Sequence, residues 1–65
     1  MTTGEKIREA RKKRGLTQAQ AAAMAETAQE TWSNWERGRA SPTLRMLARI
    51  ASALGVAACD LVGEE

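Results

Sequence analysis

Between Gly15 and Glu36 the chain carries no lysine or arginine, and hydrogen-bonding side chains crowd into one stretch, Gln29-Glu30-Thr31-Trp32-Ser33-Asn34. Gln29 and Asn34 each present a donor paired with an acceptor, which matches N6 and N7 of adenine. Glu30 can accept from N4 of cytosine, and Thr31 or Ser33 can bond a base edge or offer a methyl to thymine. These types suit reading of base edges in a duplex groove. A polar helix face is more commonly just wet surface, so composition leaves both readings open. The bidentate arginine contact to guanine is out of reach for this stretch unless Arg37 turns inward.

Other chemistries are excluded early. There is no histidine, no acidic cluster at metal-ligand spacing and no glycine-rich phosphate loop, and the one thiol, Cys59, has no visible base beside it. Catalysis, a metal and a cofactor are therefore not expected, and no small-molecule ligand is evident. A lone cysteine cannot close an internal disulfide; Ala57, Ala58 and Leu61 around it point to a buried or half-buried thiol in a reducing compartment. The start Met1-Thr2-Thr3-Gly4-Glu5 runs into charge, and no apolar run approaches bilayer length, so the cytoplasm is the expected location and no membrane is involved.

The polar stretch must be held by helices. Thr17 has the side-chain oxygen of an N-cap and Gln20 completes a capping box, opening an alanine-rich helix through Ala19, Ala21, Ala22, Ala23 and Ala25. That run breaks at Glu26-Thr27-Ala28, and a second pattern follows in which Trp32 and Trp35 share one face. Upstream, Thr2 or Thr3 caps a first helix ending at Gly15, with Ile7, Ala10, Arg11 and Arg14 on its inner stripe. Downstream, Thr43 caps a helix with a predicted core stripe of Leu44, Leu47, Ala48, Ala51 and Leu54, ended by Gly55. Ala58 to Val62 is a further short helix before an acidic tail, Gly63-Glu64-Glu65. Sixty-five residues allow one small domain, and without Phe or Tyr the two tryptophans must supply much of its burial.

Charge is segregated. Residues 1–14 hold six basic and two acidic side chains, residues 15–36 none and three, residues 37–49 four and none, residues 50–65 none and three. Two basic blocks thus flank a neutral-to-acidic middle, as expected if the flanks grip phosphates while the middle reads bases. Solvated helix faces produce the same pattern.

Leu16-Thr17-Gln18, Ala22, and Ser33-Asn34-Trp35-Glu36-Arg37-Gly38 followed by Ser41-Pro42 together resemble the helix-turn-helix of the Cro and phage-repressor (Xre) class, from about Ile7 to Leu61. The resemblance implies an all-α bundle of five short helices, with Gln18 opening the second and the third, about Ala28 to Glu36, lying in the DNA major groove. It also implies an ion pair between Arg11 and Glu36; direct phosphate contact by Arg11 is the competing role. Phosphates would be held by Thr17 and Gln18 with the amides of the second helix, and by Arg37, Arg39, Ser41 and Thr43, with Arg8, Lys12 and Arg45 as lesser candidates.

The chain departs from that class around the corner. Ala21 and Ala25 stand where larger aliphatics are usual, Glu26 where glycine is usual, Thr27 where an aliphatic is usual and Ala28 where Ser or Thr commonly caps. Trp32, in place of Ile or Val, has the volume to fill the space left by the alanines. Glu26 requires either a strained positive φ or a different corner. Thr27 can supply the missing cap, starting the third helix one residue early.

The expected function is sequence-specific binding of double-stranded DNA and regulation of transcription, as a homodimer on a palindrome. Val56, Leu61 and Val62 are the expected dimer surface, with satellite core packing as the alternative. The competing function is an interaction module of the same fold, of antitoxin or coactivator type, that holds another protein.

Overall fold

The structure is a computed structural model that describes residues 1–64. Glu65, the last residue of the acidic tail, lies outside the described residues. Helices α1 (Thr3–Lys13), α2 (Gln18–Met24), α3 (Gln29–Arg37) and α4 (Leu44–Leu54) are followed by one 3₁₀ turn (Ala58–Leu61). Among the described residues there is no strand, and no helix is long and apolar enough to cross a membrane. The fifth helix implied by the resemblance is thus a single 3₁₀ turn. Only four residues separate Ala57, which has no capping oxygen, from the extended Val62, too few to repay nucleation of an α-helix.

Local chemistry sets the helix starts. The Thr2 side chain accepts from the Glu5 amide and Glu5 returns the bond, and Thr17 and Gln20 do the same for α2. Thr43 accepts from the Met46 amide at the head of α4. Helix α3 differs from expectation: it starts at Gln29, one residue later than predicted, with Ala28 as an N-cap that lacks any side-chain bond. Thr27 does not substitute: α3 has no side-chain cap bond, and the Thr27 amide instead closes α2, donating to the Ala22 carbonyl at 2.9 Å.

The corner itself keeps the left-handed geometry. Glu26 has φ +59°, and it is the one non-glycine residue among the described residues with positive φ. The equivalent position after α1 is Gly15 and that after α3 is Gly38, so Glu26 occupies a conformation in which its Cβ costs about 1–2 kcal/mol. Of the two alternatives, the strained corner is the one observed.

The core gathers Ile7, Ala21, Ala22, Ala25, Trp32, Trp35, Leu47, Ile50, Ala51, Ala53, Leu54 and Leu61. Trp32 is fully buried together with Ala21 and Ala25, so the large indole shares one interior with the small side chains, as volume compensation requires. The two indoles pack at 6.0 Å between centroids and 59° between planes, a tilted arrangement aromatic pairs favour. Helix α1 comes so close to the end of α3 that a Cβ on the buried Gly4 would collide with the carbonyl oxygens of Trp35 and Glu36.

Three placements differ from expectation. The α4 stripe is rotated: Leu47, Ile50, Ala51, Ala53 and Leu54 face inward, while Leu44 is 86% exposed and Ala48 is exposed. A 3.6-residue period fits either stripe, and Leu44, the first residue of α4, is left at the surface. Cys59 is exposed, not buried. With three residues per turn, a single 3₁₀ turn points little inward, and Leu61 takes that place. Leu61 is consequently core, which removes it from the predicted dimer surface; Val56 is half-buried against the core and Val62 stays exposed.

Candidate nucleic-acid interface

A single carboxylate organises the junction of α1, α2 and α3. Glu36 accepts from Arg11 Nε at 2.6 Å and Nη2 at 3.1 Å, from Gln18 Nε2 at 3.1 Å and from Trp32 Nε1 at 2.5 Å. Arg11 also donates Nη1 to the Leu16 carbonyl at 2.8 Å, tying the α1–α2 connection to the same point. The Arg11 and Glu36 side chains are only 11% and 3% exposed. Burial pushes the Glu36 carboxyl up, but hydrogen bonds from Arg11, Gln18 and Trp32, with the Arg11 charge, outweigh it and hold the group below its ordinary value.

Over this junction lies a cleft of about 340 Å³ lined by Arg8, Arg11, Gln18, Glu36 and Arg37. Arg11 answers the Glu36 charge, whereas Arg8 and Arg37 are exposed and, among the described residues, have no acidic partner within 4.0 Å. The cleft mouth is therefore cationic, a place suited to a phosphate. Arg8 was only a lesser candidate by sequence. Its position in the first basic block was visible, but its meeting with residues 18 and 37 required the packing of α1 on α3.

The remaining polar residues fall into groups. Gln29, Glu30 and Thr31, in the first turn of α3, are exposed; Ser33 and Asn34 are half-buried. The backbone carbonyl of Asn34 receives the Arg39 amide at 2.9 Å, closing the helix. Arg37, Arg39, Ser41 and Thr43 are exposed along the helix end and loop. Thr17 and Thr43 use a hydroxyl lone pair to cap their helices, which leaves each O–H free to donate. Gln18 gives one amide hydrogen to Glu36 and retains the other. Sequence reasoning assigned Gln18 wholly to phosphate and missed its second role, and it also missed the Trp32 indole bond.

Comparison with known proteins gives this geometry a context. Residues 7–61 match the helix-turn-helix family. The immunity repressor protein of Bacillus phage phi105 is 42% identical over 65 residues, all of this chain and 45% of that protein. The chain thus spans about half the length of that curated relative. An uncharacterised HTH-type transcriptional regulator of Sinorhizobium fredii, y4dJ, is 39% identical over 59 residues, 91% of this chain and 77% of its own. Among solved structures, the P22 c2 repressor in complex with a synthetic operator superposes with a TM-score of 0.91 at 29% identity, covering 100% of this chain and 98% of that one. The chain belongs to the helix-turn-helix family, and among the proteins it is similar to are a phage immunity repressor, an HTH-type transcriptional regulator and an operator-bound phage repressor.

Proposed function

We propose that this chain acts as one helix-turn-helix domain, residues 1–65, that binds a specific duplex operator with α3 in the major groove and represses transcription by occluding a promoter. The observation that carries this reading is the layout of α3. Two buried tryptophans anchor the helix, its first turn exposes Gln29, Glu30 and Thr31, and its last turn borders the cationic cleft of Arg8 and Arg37. Base-reading types at one end and free cations at the other divide the work as a groove reader needs. In this reading Gln29, Glu30 and Thr31 touch base edges, with Ser33 and Asn34 at the fringe. Arg8, Arg37 and Arg39 bind phosphates, helped by the second amide hydrogen of Gln18 and the hydroxyls of Thr17, Ser41 and Thr43.

In this reading the chain pairs into a homodimer on a palindrome, and its size supports that arrangement. The Cα envelope measures 25 × 21 × 20 Å, shorter than the ~34 Å helical repeat that separates successive major-groove faces. One copy therefore reads one half-site. Val62, 55% exposed near the C-terminal end, and the half-buried Val56 are what remain of the expected dimer surface once Leu61 is assigned to the core.

The test is titration of the protein against random-sequence duplex at two salt concentrations, followed by selection of sites from a random pool. Steep loss of affinity at the higher salt and recovery of an inverted repeat are expected. Affinity indifferent to salt, with no sequence recovered, would place the chain with modules of this fold that hold another protein.

A further inference from the structure

The exposed turn of α3 has an unusual chemical bias. Gln29, Glu30 and Thr31 are all outside the core, none is cationic, and no lysine or arginine precedes Arg37 on that helix. All three present an oxygen acceptor, Gln29 and Thr31 beside a donor hydrogen and Glu30 without one, and the bases that answer an acceptor in the major groove do so through exocyclic amines: N6 of adenine and N4 of cytosine. Guanine offers only acceptors there, and thymine an acceptor and a methyl, so neither can satisfy the Glu30 carboxylate.

Each of those amines has two hydrogens. One is committed to the Watson–Crick partner, and the other alone faces the groove. N-methylation of a paired adenine or cytosine must place the methyl on the groove side, since the opposite orientation would break the base pair. The hydrogen that Gln29 or Glu30 needs is then gone, and a methyl stands in its place.

We propose that this regulator is a sensor of exocyclic-amine methylation: N6-methyladenine or N4-methylcytosine in its operator releases it from DNA, through Gln29 and Glu30 respectively. The proposal rests on the regulator reading above and deepens it by naming a chemical signal to which the same surface responds. Because the protein supplies no cation in the reading turn, no arginine–guanine contact from that turn is available to offset the loss.

The experiment uses the full chain and an operator recovered by selection from an unmodified random duplex pool. That duplex is resynthesised with single N6-methyl-dA or N4-methyl-dC substitutions at each adenine and cytosine in turn, and binding is followed by anisotropy. At one adenine and one cytosine of each half-site, methylation is expected to weaken binding about tenfold or more, the range of one good base contact. The adenine penalty should vanish in Gln29→Ala and the cytosine penalty in Glu30→Ala, while unmodified duplex still binds each variant above random DNA. Methylated duplexes that all bind within about twofold of the unmodified one would overturn the methylation inference and leave the regulator reading intact. Failure to recover any operator would remove both.

Discussion

Glu36 concentrates the dependence of this fold on one ionised group. Its carboxylate receives donors from three other residues, Arg11, Gln18 and Trp32, and its folded value lies below the ordinary 4.5. A group lowered on folding contributes stability that is present above its unfolded value and is lost as pH falls through the folded one. Urea midpoints are therefore expected to hold from neutral pH to about 4.5 and decline below it. Glu5, whose carboxyl is likewise lowered by its bonds to Thr2, adds with the same sign. In Glu36→Gln the stranded Arg11 guanidinium is expected to cost roughly 3–5 kcal/mol at neutral pH and to flatten the acid limb; an acid limb as steep as that of the parent would assign the decline to other carboxyls. Trp32 serves both volume and bonding at the same point. Trp32→Ile is expected to lose about 2–4 kcal/mol, and an unchanged denaturation midpoint would refute its role as filler beside Ala21 and Ala25.

At the scale of elements, the α2–α3 corner holds two local weaknesses that do not share a cause. Glu26 sits at φ +59° where a glycine would relax, and Ala28 caps α3 without a side-chain bond. Glu26→Gly is expected to raise stability by about 1 kcal/mol by removing Cβ strain, and Ala28→Ser by a similar ~1 kcal/mol by supplying the missing oxygen. Thermal melts of the two variants and of the double variant check both. The corner also marks where sequence reasoning stops. Caps at Thr2, Thr17 and Thr43 were legible because donor and acceptor lie three residues apart in the chain. The rotation of α4 was not, because its apolar residues satisfy two stripes and only the neighbours in space choose Ile50 over Leu44 and Ala48. The full set of donors on Glu36 was equally hidden: the Arg11 pairing came through family resemblance, while Gln18 lies 18 residues away with chemistry equally suited to phosphate.

For the molecule as a whole, the question is how its charge meets a polyanion. Net charge is only +2, so under the proposed function affinity for DNA would rest on where the cations stand and not on their excess. Glu36 is neutralised internally by Arg11, and Glu9 lies 3.6 Å from Lys13 on the surface of α1. Arg8 and Arg37 at the cleft and Arg39 beyond α3 are exposed and, among the described residues, without acidic partners within 4.0 Å. Each phosphate such a cation neutralises releases condensed counterions and adds about 0.9 to the slope of log affinity against log salt. Arg8→Ala, Arg37→Ala and Arg39→Ala are each expected to lower that slope by about one, equally for operator and random duplex, while thermal stability stays within about 0.5 kcal/mol because the side chains are exposed. Gln29→Ala should behave in the opposite way, leaving the slope alone while costing about 1–3 kcal/mol on the operator and nothing on random duplex. Anisotropy titrations across a series of salt concentrations separate the two outcomes. A slope untouched by Arg8→Ala would take the α1 side of the cleft out of the DNA surface, and a slope altered by Gln29→Ala would mean that α3 lies along the phosphates and not in the groove.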